Sequence, residues 1–466
     1  MNGRRLLIAV VTIVASLRVS IASAEPAETM KVPGFGVVSI YRDGATPRQV
    51  VLFVSGDGGW NLGVVDMAKR LRDTGALVVG IDIRAFMKNL EASPGCAYPG
   101  GALEELSRAV QRRYNLPSYI RPILVGYSSG ATLVYAALTA APPETFAGAI
   151  SLGFCPDIEI QHPLCQMRGL LAIKRSKRIG YDLAPFATST VPWMVLQGEV
   201  DQVCSPDGTR QFVGKTGATR LFWLPQVGHG FGVPSRWAPQ FLEAYRAITA
   251  THSALVAASR VTAPAVADLS LVEVPSRSAP VKKTMAIVIS GDGGWAEIDK
   301  SIAAGLAAAG IPVVGWSSLD YYWTPRTPDG AAADLARIIE HYVNTWQVER
   351  VLIVGYSFGA DVAPLLVNRL PPALKERVTQ VALLGPSDTA TFEFHLSDWI
   401  GKRSAPTHPT APEIARLHLP ITCVFGEDEP DSVCRTAGAS GVRAISIGRG
   451  HHFGGEYGRI VDAILR

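Results

Sequence analysis

The chain has no C-x-x-C pair, and no histidine pair accompanies its six cysteines, which removes the common tetrahedral zinc sites. Beyond residue 24 no apolar run is long enough to span a bilayer. There is no low-complexity tract and no long run of one charge. Net charge is small, with 44 Lys and Arg against 40 Asp and Glu. That balance gives no argument for nucleic acid as a partner. What is there is length: 466 residues exceed one ordinary core, so two domains are the starting expectation.

The first 24 residues read as a secretory signal. Arg4 and Arg5 open it, a largely apolar stretch runs from Leu6 to Leu17, and Ala22-Ser23-Ala24 supplies a small-residue cleavage site. The stretch is too short for an anchor, so the mature chain is expected outside the cytoplasm without a transmembrane span. Cysteines in an exported chain suggest disulfides. Cys423 and Cys434 are the only pair in the second half and flank an acidic loop. Cys96, Cys155, Cys165 and Cys204 allow three pairings. The expected one joins Cys155 to Cys165, the shortest closure, leaving Cys96 with Cys204.

One four-part pattern occurs twice, in the same order. The first copy has Ser-Gly-Asp-Gly-Gly-Trp at 55–60, Gly-Tyr-Ser-Ser-Gly at 126–130, an acidic loop at 198–204 and Gly-His-Gly-Phe-Gly at 228–232. The second has Ser-Gly-Asp-Gly-Gly-Trp at 290–295, Gly-Tyr-Ser-Phe-Gly at 355–359, an acidic loop at 426–434 and Gly-His-His-Phe-Gly at 450–454. Equivalent positions lie about 222 to 235 residues apart, a period that fits two duplicated globular domains rather than a solenoid. A lone G-x-S-x-G is a weak signal. Followed by an acid and then a histidine, it has the chain order of an α/β-hydrolase.

Apolar, β-branched runs at 50–55 and 285–290 read as buried strands feeding the Gly-rich loops. Helical patterns follow at 61–73 and 296–309, then strands at 76–82 and 311–317. A long loop opens in each copy, holding Phe86 in the first and Tyr321-Tyr322-Trp323 in the second. Helices near 101–114 and 330–345 precede strands at 122–127 and 350–356 that end at the serines. Pro364 falls within the helix expected after Ser357 and predicts a kink or an irregular turn there. Strands alternating with helices imply two tandem α/β domains, each a mostly parallel sheet covered on both faces. The expected boundaries are 30–250 for the first domain, 251–267 for a linker and 268–466 for the second.

A serine hydroxyl is a poor nucleophile unless a base takes its proton. Ser128 and Ser357 are the candidate nucleophiles, each between glycines on a sharp strand-to-helix turn. The backbone N–H groups of Ser129 and Phe358 each offer one oxyanion donor, and the Gly-rich loops near Asp57 and Asp292 offer the second. Asp292 alternatively caps the helix that begins near Trp295. His229 is the candidate base in the first copy. In the second, aligning Phe231 with Phe453 favours His451 over His452. The orienting acid is Asp201 in the first copy. In the second, counting back from Cys434 favours Asp431, whereas counting from the glycine gives Asp428 or Glu429. The surplus acids, Glu427 and Asp428, suit a cationic group on a substrate or a solvated face. Tyr321, Tyr322 and Trp323 line an acyl cleft or pack under a lid. The chemistry calls for no metal or organic cofactor.

On the paired Gly-rich loops, Gly-Tyr-Ser-Phe-Gly-Ala-Asp at 355–361 and the acidic loop between Cys423 and Cys434, the chain resembles the AcvB/VirJ bacterial virulence family. The resemblance is most specific over 268–466, where it looks like the VirJ-type domain. It implies a periplasmic α/β-hydrolase, with a link to virulence and to components of type IV secretion. In AcvB-like members it implies hydrolysis of lysyl-phosphatidylglycerol, an aminoacylated phospholipid at the membrane surface. The family nucleophile falls on Ser357, its base on the His451-His452 pair and its acid within 427–431. The rival readings are a non-enzymatic secretion partner on a hydrolase scaffold and a general carboxylesterase.

Overall fold

The computed structural model describes residues 28–93, 95–259, 261–276, 280–393, 407–429, 432–436 and 441–466. The signal expected at 1–24 lies outside them. In chain order the strands are β1 (Glu28–Val32), β2 (Gly36–Tyr41), β3 (Gln49–Val54), β4 (Ala76–Ile81), β5 (Ile123–Tyr127), β6 (Gly148–Leu152), β7 (Asp157–Ile158), β8 (Ala172–Lys174), β9 (Tyr181–Leu183), β10 (Trp193–Gly198) and β11 (Thr219–Leu224) in the first half. The second half has β12 (Leu271–Val274), β13 (Thr284–Ile289), β14 (Val313–Trp316), β15 (Arg350–Tyr356), β16 (Val378–Leu384), β17 (Thr389–Ala390), β18 (His408–Pro409), β19 (Ile421–Phe425) and β20 (Val442–Ser446).

Two main sheets form, ordered β1-β2-β4-β3-β5-β6-β10-β11 and β12-β14-β13-β15-β16-β19-β20. Only the edges are antiparallel: β1 with β2 and β2 with β4 in the first sheet, β12 with β14 in the second. Every residue of β3 and of β4 is buried. Runs this continuously apolar fit strands covered on both faces by helices. Each fully buried Val, Leu or Phe side chain stabilises by roughly 1.5–3 kcal/mol. Both halves are α/β-hydrolase folds in which the serine-bearing turn follows a central strand, β5 or β15.

Several expectations are corrected. Cys96 bonds to Cys165 and Cys155 to Cys204, not Cys155 to Cys165. Shortest closure fails because sheet neighbours decide which sulfurs meet. Cys155 follows β6 and Cys204 follows β10, and these strands pair in parallel with Leu152 opposite Leu196, so their C-terminal loops emerge side by side. Cys165 is carried to Cys96 by backbone bonds from Ala97 N to Pro163 O and from Cys165 N to Ala97 O. Cys423 bonds to Cys434 as expected. The loop expected around Phe86 is a helix, Ile83–Glu91, capped by the Asp82 carboxylate on Arg84 N. Its apolar positions Ile83, Phe86 and Leu90 recur at helical spacing and are buried. Pro364 lies inside one continuous helix, Phe358–Asn368. The helix Ala238–Ser259 runs into the stretch expected as linker.

The halves also touch. Trp323 Nε1 donates to Leu116 O at 2.8 Å, and the Trp323 ring packs 5.2 Å from that of Tyr119. Arg168 pairs with Glu297 at 3.3 Å, and Lys300 with Glu144.

Candidate active site

Ser128 has φ 57° and ψ −125°, and Ser357 has φ 51° and ψ −119°. Residues with side chains rarely adopt such a backbone, and its appearance at both serines marks a strained turn held by its surroundings. The flanking glycines are required sterically. A Cβ on Gly355 would sit 2.3 Å from Gly359 O, and one on Gly359 would sit 2.1 Å from Ile289 O. Behind each serine runs a helix, Ser129–Ala140 or Phe358–Asn368. Its N-terminal N–H groups begin at Ser129 and Phe358, and this positive end of the dipole suits a developing oxyanion.

The Gly-rich loops lie against the serines. A Cβ on Gly56 would approach Ser128 Cβ to 3.0 Å, and one on Gly291 would approach Ser357 Cβ to 3.5 Å. Each loop ends in a tryptophan seated on a strand glycine. A Cβ on Gly80 would meet Trp60 at 2.1 Å, and one on Gly315 would meet Trp295 at 2.4 Å. Asp57 accepts from Ser129 Oγ at 2.6 Å. Asp292 does not cap the following helix. That helix starts after Ala296, whose N–H donates to Asp299. Asp292 pairs instead with Arg108 of the first half.

In the first half Ser128 Oγ lies 2.9 Å from His229 Nε2, and His229 Nδ1 lies 2.9 Å from Asp201 Oδ2. Asp201 also accepts from the N–H groups of Val203 and Cys204 at 2.8 and 2.9 Å. Burial alone would raise its pKa. The hydrogen bonds from His229, Cys204 and Val203 outweigh burial and hold the carboxyl below its ordinary range.

In the second half Ser357 Oγ lies 2.8 Å from His451 Nε2. His451 Nδ1 meets Glu429 Oε1 at 2.9 Å, and Gly426 N donates to the other oxygen of Glu429 at 2.8 Å. Glu429, one of the two acids counted from the glycine, occupies the place behind His451 that was expected for Asp431, and Asp431 lies outside the described residues. Both acids sit three positions past a glycine, Gly198 or Gly426, whose carbonyl accepts from the acid's own N–H. The two extra residues of the second loop therefore fall after the acid, not before it. His452 points elsewhere, with Nδ1 3.0 Å from Tyr356 OH, and burial lowers its pKa. The second site is the more open one: the His451 side chain is 41% exposed against 16% for His229.

The expected substrate residues are placed differently from one another. Glu427 is exposed. Asp428 is engaged within its own chain, accepting from Gly450 N and pairing with Arg449 at 3.6 Å, which braces the histidine loop. Tyr321, Tyr322 and Trp323 are buried. Tyr321 donates to Asp334 at 2.6 Å, and Tyr322 packs 4.9 Å from Phe358. They form core beneath the site and contact between halves rather than an open cleft wall, because three large rings in sequence are worth most when removed from water.

Sequence reasoning missed Asp361. It lies one helical turn past Ser357, only 8% exposed, and accepts from Ser387 N at 2.6 Å. Burial pushes its carboxyl up to about 8, with the charges of Asp388 and Asp292 acting in the same direction. The first copy has Thr132 there, donating to Cys155 O at 2.6 Å. Comparing the two copies at this position was the available signal.

A serine on a strained elbow, with a histidine and a carboxylate in file behind it, defines an α/β serine hydrolase-like protein. The profile of the bacterial virulence protein (VirJ) family matches residues 48–152 and 283–466, and the chain belongs to that family. No curated protein matches it. Solved structures similar to it include Est1E from Butyrivibrio proteoclasticus, at 10% identity and TM-score 0.32, covering 50% of this chain and 99% of that one. The esterase domain of a Rhodothermus marinus protein is 15% identical, with TM-score 0.33, covering 48% and 97%. XC6422 from Xanthomonas campestris, a member of the a/b serine hydrolases without lid, is 19% identical, with TM-score 0.30, covering 49% and 94%.

Proposed function

We propose that the chain is a periplasmic serine esterase and that its second half hydrolyses the aminoacyl ester of lysyl-phosphatidylglycerol. The observation that carries the hydrolase reading is the file Ser357, His451, Glu429, with contacts of 2.8 and 2.9 Å. His451 takes the Ser357 proton as Oγ attacks the ester carbonyl. The N–H of Phe358 and the Gly-rich loop receive the oxyanion. His451 then protonates the departing glycerol oxygen, and water releases lysine from the acyl-enzyme by the same steps. Glu429 holds the imidazole in the tautomer this requires and stabilises its cation. Ser128, His229 and Asp201 form a second serine hydrolase site by the same argument.

The aminoacyl preference rests on the resemblance to AcvB-like members and on charge. Asp388 and Asp292 both bear electrostatically on Asp361, one helical turn past Ser357, and Asp361 is the carboxylate we assign to a lysyl ammonium. Its ionisation near pH 8 gives a test with a defined sign. Below that pH the buried carboxyl is neutral, and above it the anion attracts an ε-ammonium that stays charged to about pH 10.4. The ratio of kcat/KM for a lysyl ester to that for a neutral short-chain ester is expected to rise severalfold from pH 7 to 8.5, after subtraction of uncatalysed hydrolysis. In Asp361→Asn that rise is expected to be lost, leaving only what the substrate's own α-amino group, titrating at about 7.7–8.0, contributes. A preference for the neutral ester at every pH would defeat the aminoacyl reading. No labelling of Ser128 or Ser357 by a fluorophosphonate would favour a scaffold without activity.

A further inference from the structure

The two copies hold their Gly-rich loops by different means. In the first, the loop carboxylate, Asp57, accepts from Ser129 Oγ, the residue next to the nucleophile, at 2.6 Å. The second copy has Phe358 at that position, which carries no hydroxyl. Its loop carboxylate, Asp292, turns to the other half of the molecule. Arg108, on the helix Pro99–Arg113, donates to Asp292 Oδ2 at 3.3 Å and to Asp292 O at 3.1 Å.

The arginine is itself fixed. Its side chain is only 14% exposed and bonds to Glu104 at 2.6 Å, one turn earlier on the same helix. Four positions on, Arg112 lies 4.2 Å over the Trp323 ring and reaches Tyr322 O at 3.4 Å. One helix face of the first half therefore grips the second half at the loop beside Ser357 and at the aromatic run beneath Phe358.

We infer that Arg108 is a positioning residue for the second site: the first half supplies the brace that the second half's own sequence lacks. The inference rests on the hydrolase reading above. As an ion pair to a carboxylate 59% exposed, the contact adds little to stability. Its bond to the backbone carbonyl of Asp292 bears on where the loop sits, and an oxyanion donor displaced by a fraction of an ångström acts on kcat.

The test uses the full chain with Ser128→Ala, so that only the second site reports, and p-nitrophenyl acetate as substrate. Adding Arg108→Ala is expected to lower kcat about 10- to 100-fold, with KM within twofold, and to lower the melting temperature because Glu104, 18% exposed, loses its partner. Asp292→Ala, at an exposed position that keeps the fold, is expected to lower kcat as well. The variant carrying both is expected to fall by less than the product of the two. In a separate Ser357→Ala chain, Arg108→Ala is expected to leave the Ser128 site's rate unchanged, which a general loss of fold would not do. An active parent whose kcat is indifferent to Arg108→Ala, or losses that multiply in the double variant, overturns the inference alone. A Ser128→Ala parent that takes no fluorophosphonate at Ser357 removes the hydrolase reading and the inference with it.

Discussion

Replacing Ser357 with alanine is expected to lower lysyl-phosphatidylglycerol turnover by about 10⁴-fold or more, while Ser128→Ala keeps most of it. Lysine release from mixed micelles measures both. Without Oγ no acyl-enzyme forms, and only loop, helix terminus and bound substrate remain to assist water. The asymmetry between the serines follows from their surroundings rather than their relays, which match within 0.1 Å at the serine, 2.9 Å against 2.8 Å. Beside Ser357 one helical turn brings Asp361, where the first copy has Thr132. Above the pH at which Asp361 ionises, the ε-ammonium of the lysyl group distinguishes the two. Retained turnover in Ser357→Ala together with loss in Ser128→Ala would move the aminoacyl site to the first half.

The second large effect is expected at Glu429. Glu429→Gln should lower kcat at the second site by about 10⁴-fold, the scale of removing the orienting carboxylate from a serine relay. An amide can present its NH₂ to His451 Nδ1, which favours the tautomer that cannot accept the serine proton. It also withdraws the negative charge that stabilises the imidazolium. Asp431→Asn is expected to leave kcat within twofold. Steady-state rates of the two variants in the Ser128→Ala chain decide between them. A silent Glu429→Gln with a disabled Asp431→Asn would return the role to position 431.

What was legible in the sequence was whatever depends on short-range geometry. Gly355 and Gly359 are imposed by backbone approaches near 2 Å, so the elbow can be read from five letters. His451 could be read because Phe453, buried like Phe231, holds the register of its loop. The acid could not. Cys434 and Gly426 gave conflicting counts, and only the bond each acid's N–H makes to the glycine three residues back aligns Glu429 with Asp201. The first-half disulfides were illegible for a related reason. Loop length governs the entropy of closure, but strand adjacency between β6 and β10 governs which sulfurs meet. Arg108 was beyond reach altogether, because it lies 184 positions from Asp292 and no local pattern records that distance.

The meeting of Arg108 with Asp292 also limits how such a molecule can vary between generations. On this reading the two halves are not exchangeable modules. A graft that brings in a foreign second half with a shortened or uncharged loop leaves the Arg108 guanidinium with Glu104 alone, and the reverse graft leaves the loop slack. Changes at positions 108 and 292 are therefore expected to travel together through descent, and stand-alone relatives of the second half need some other residue to take the arginine's place.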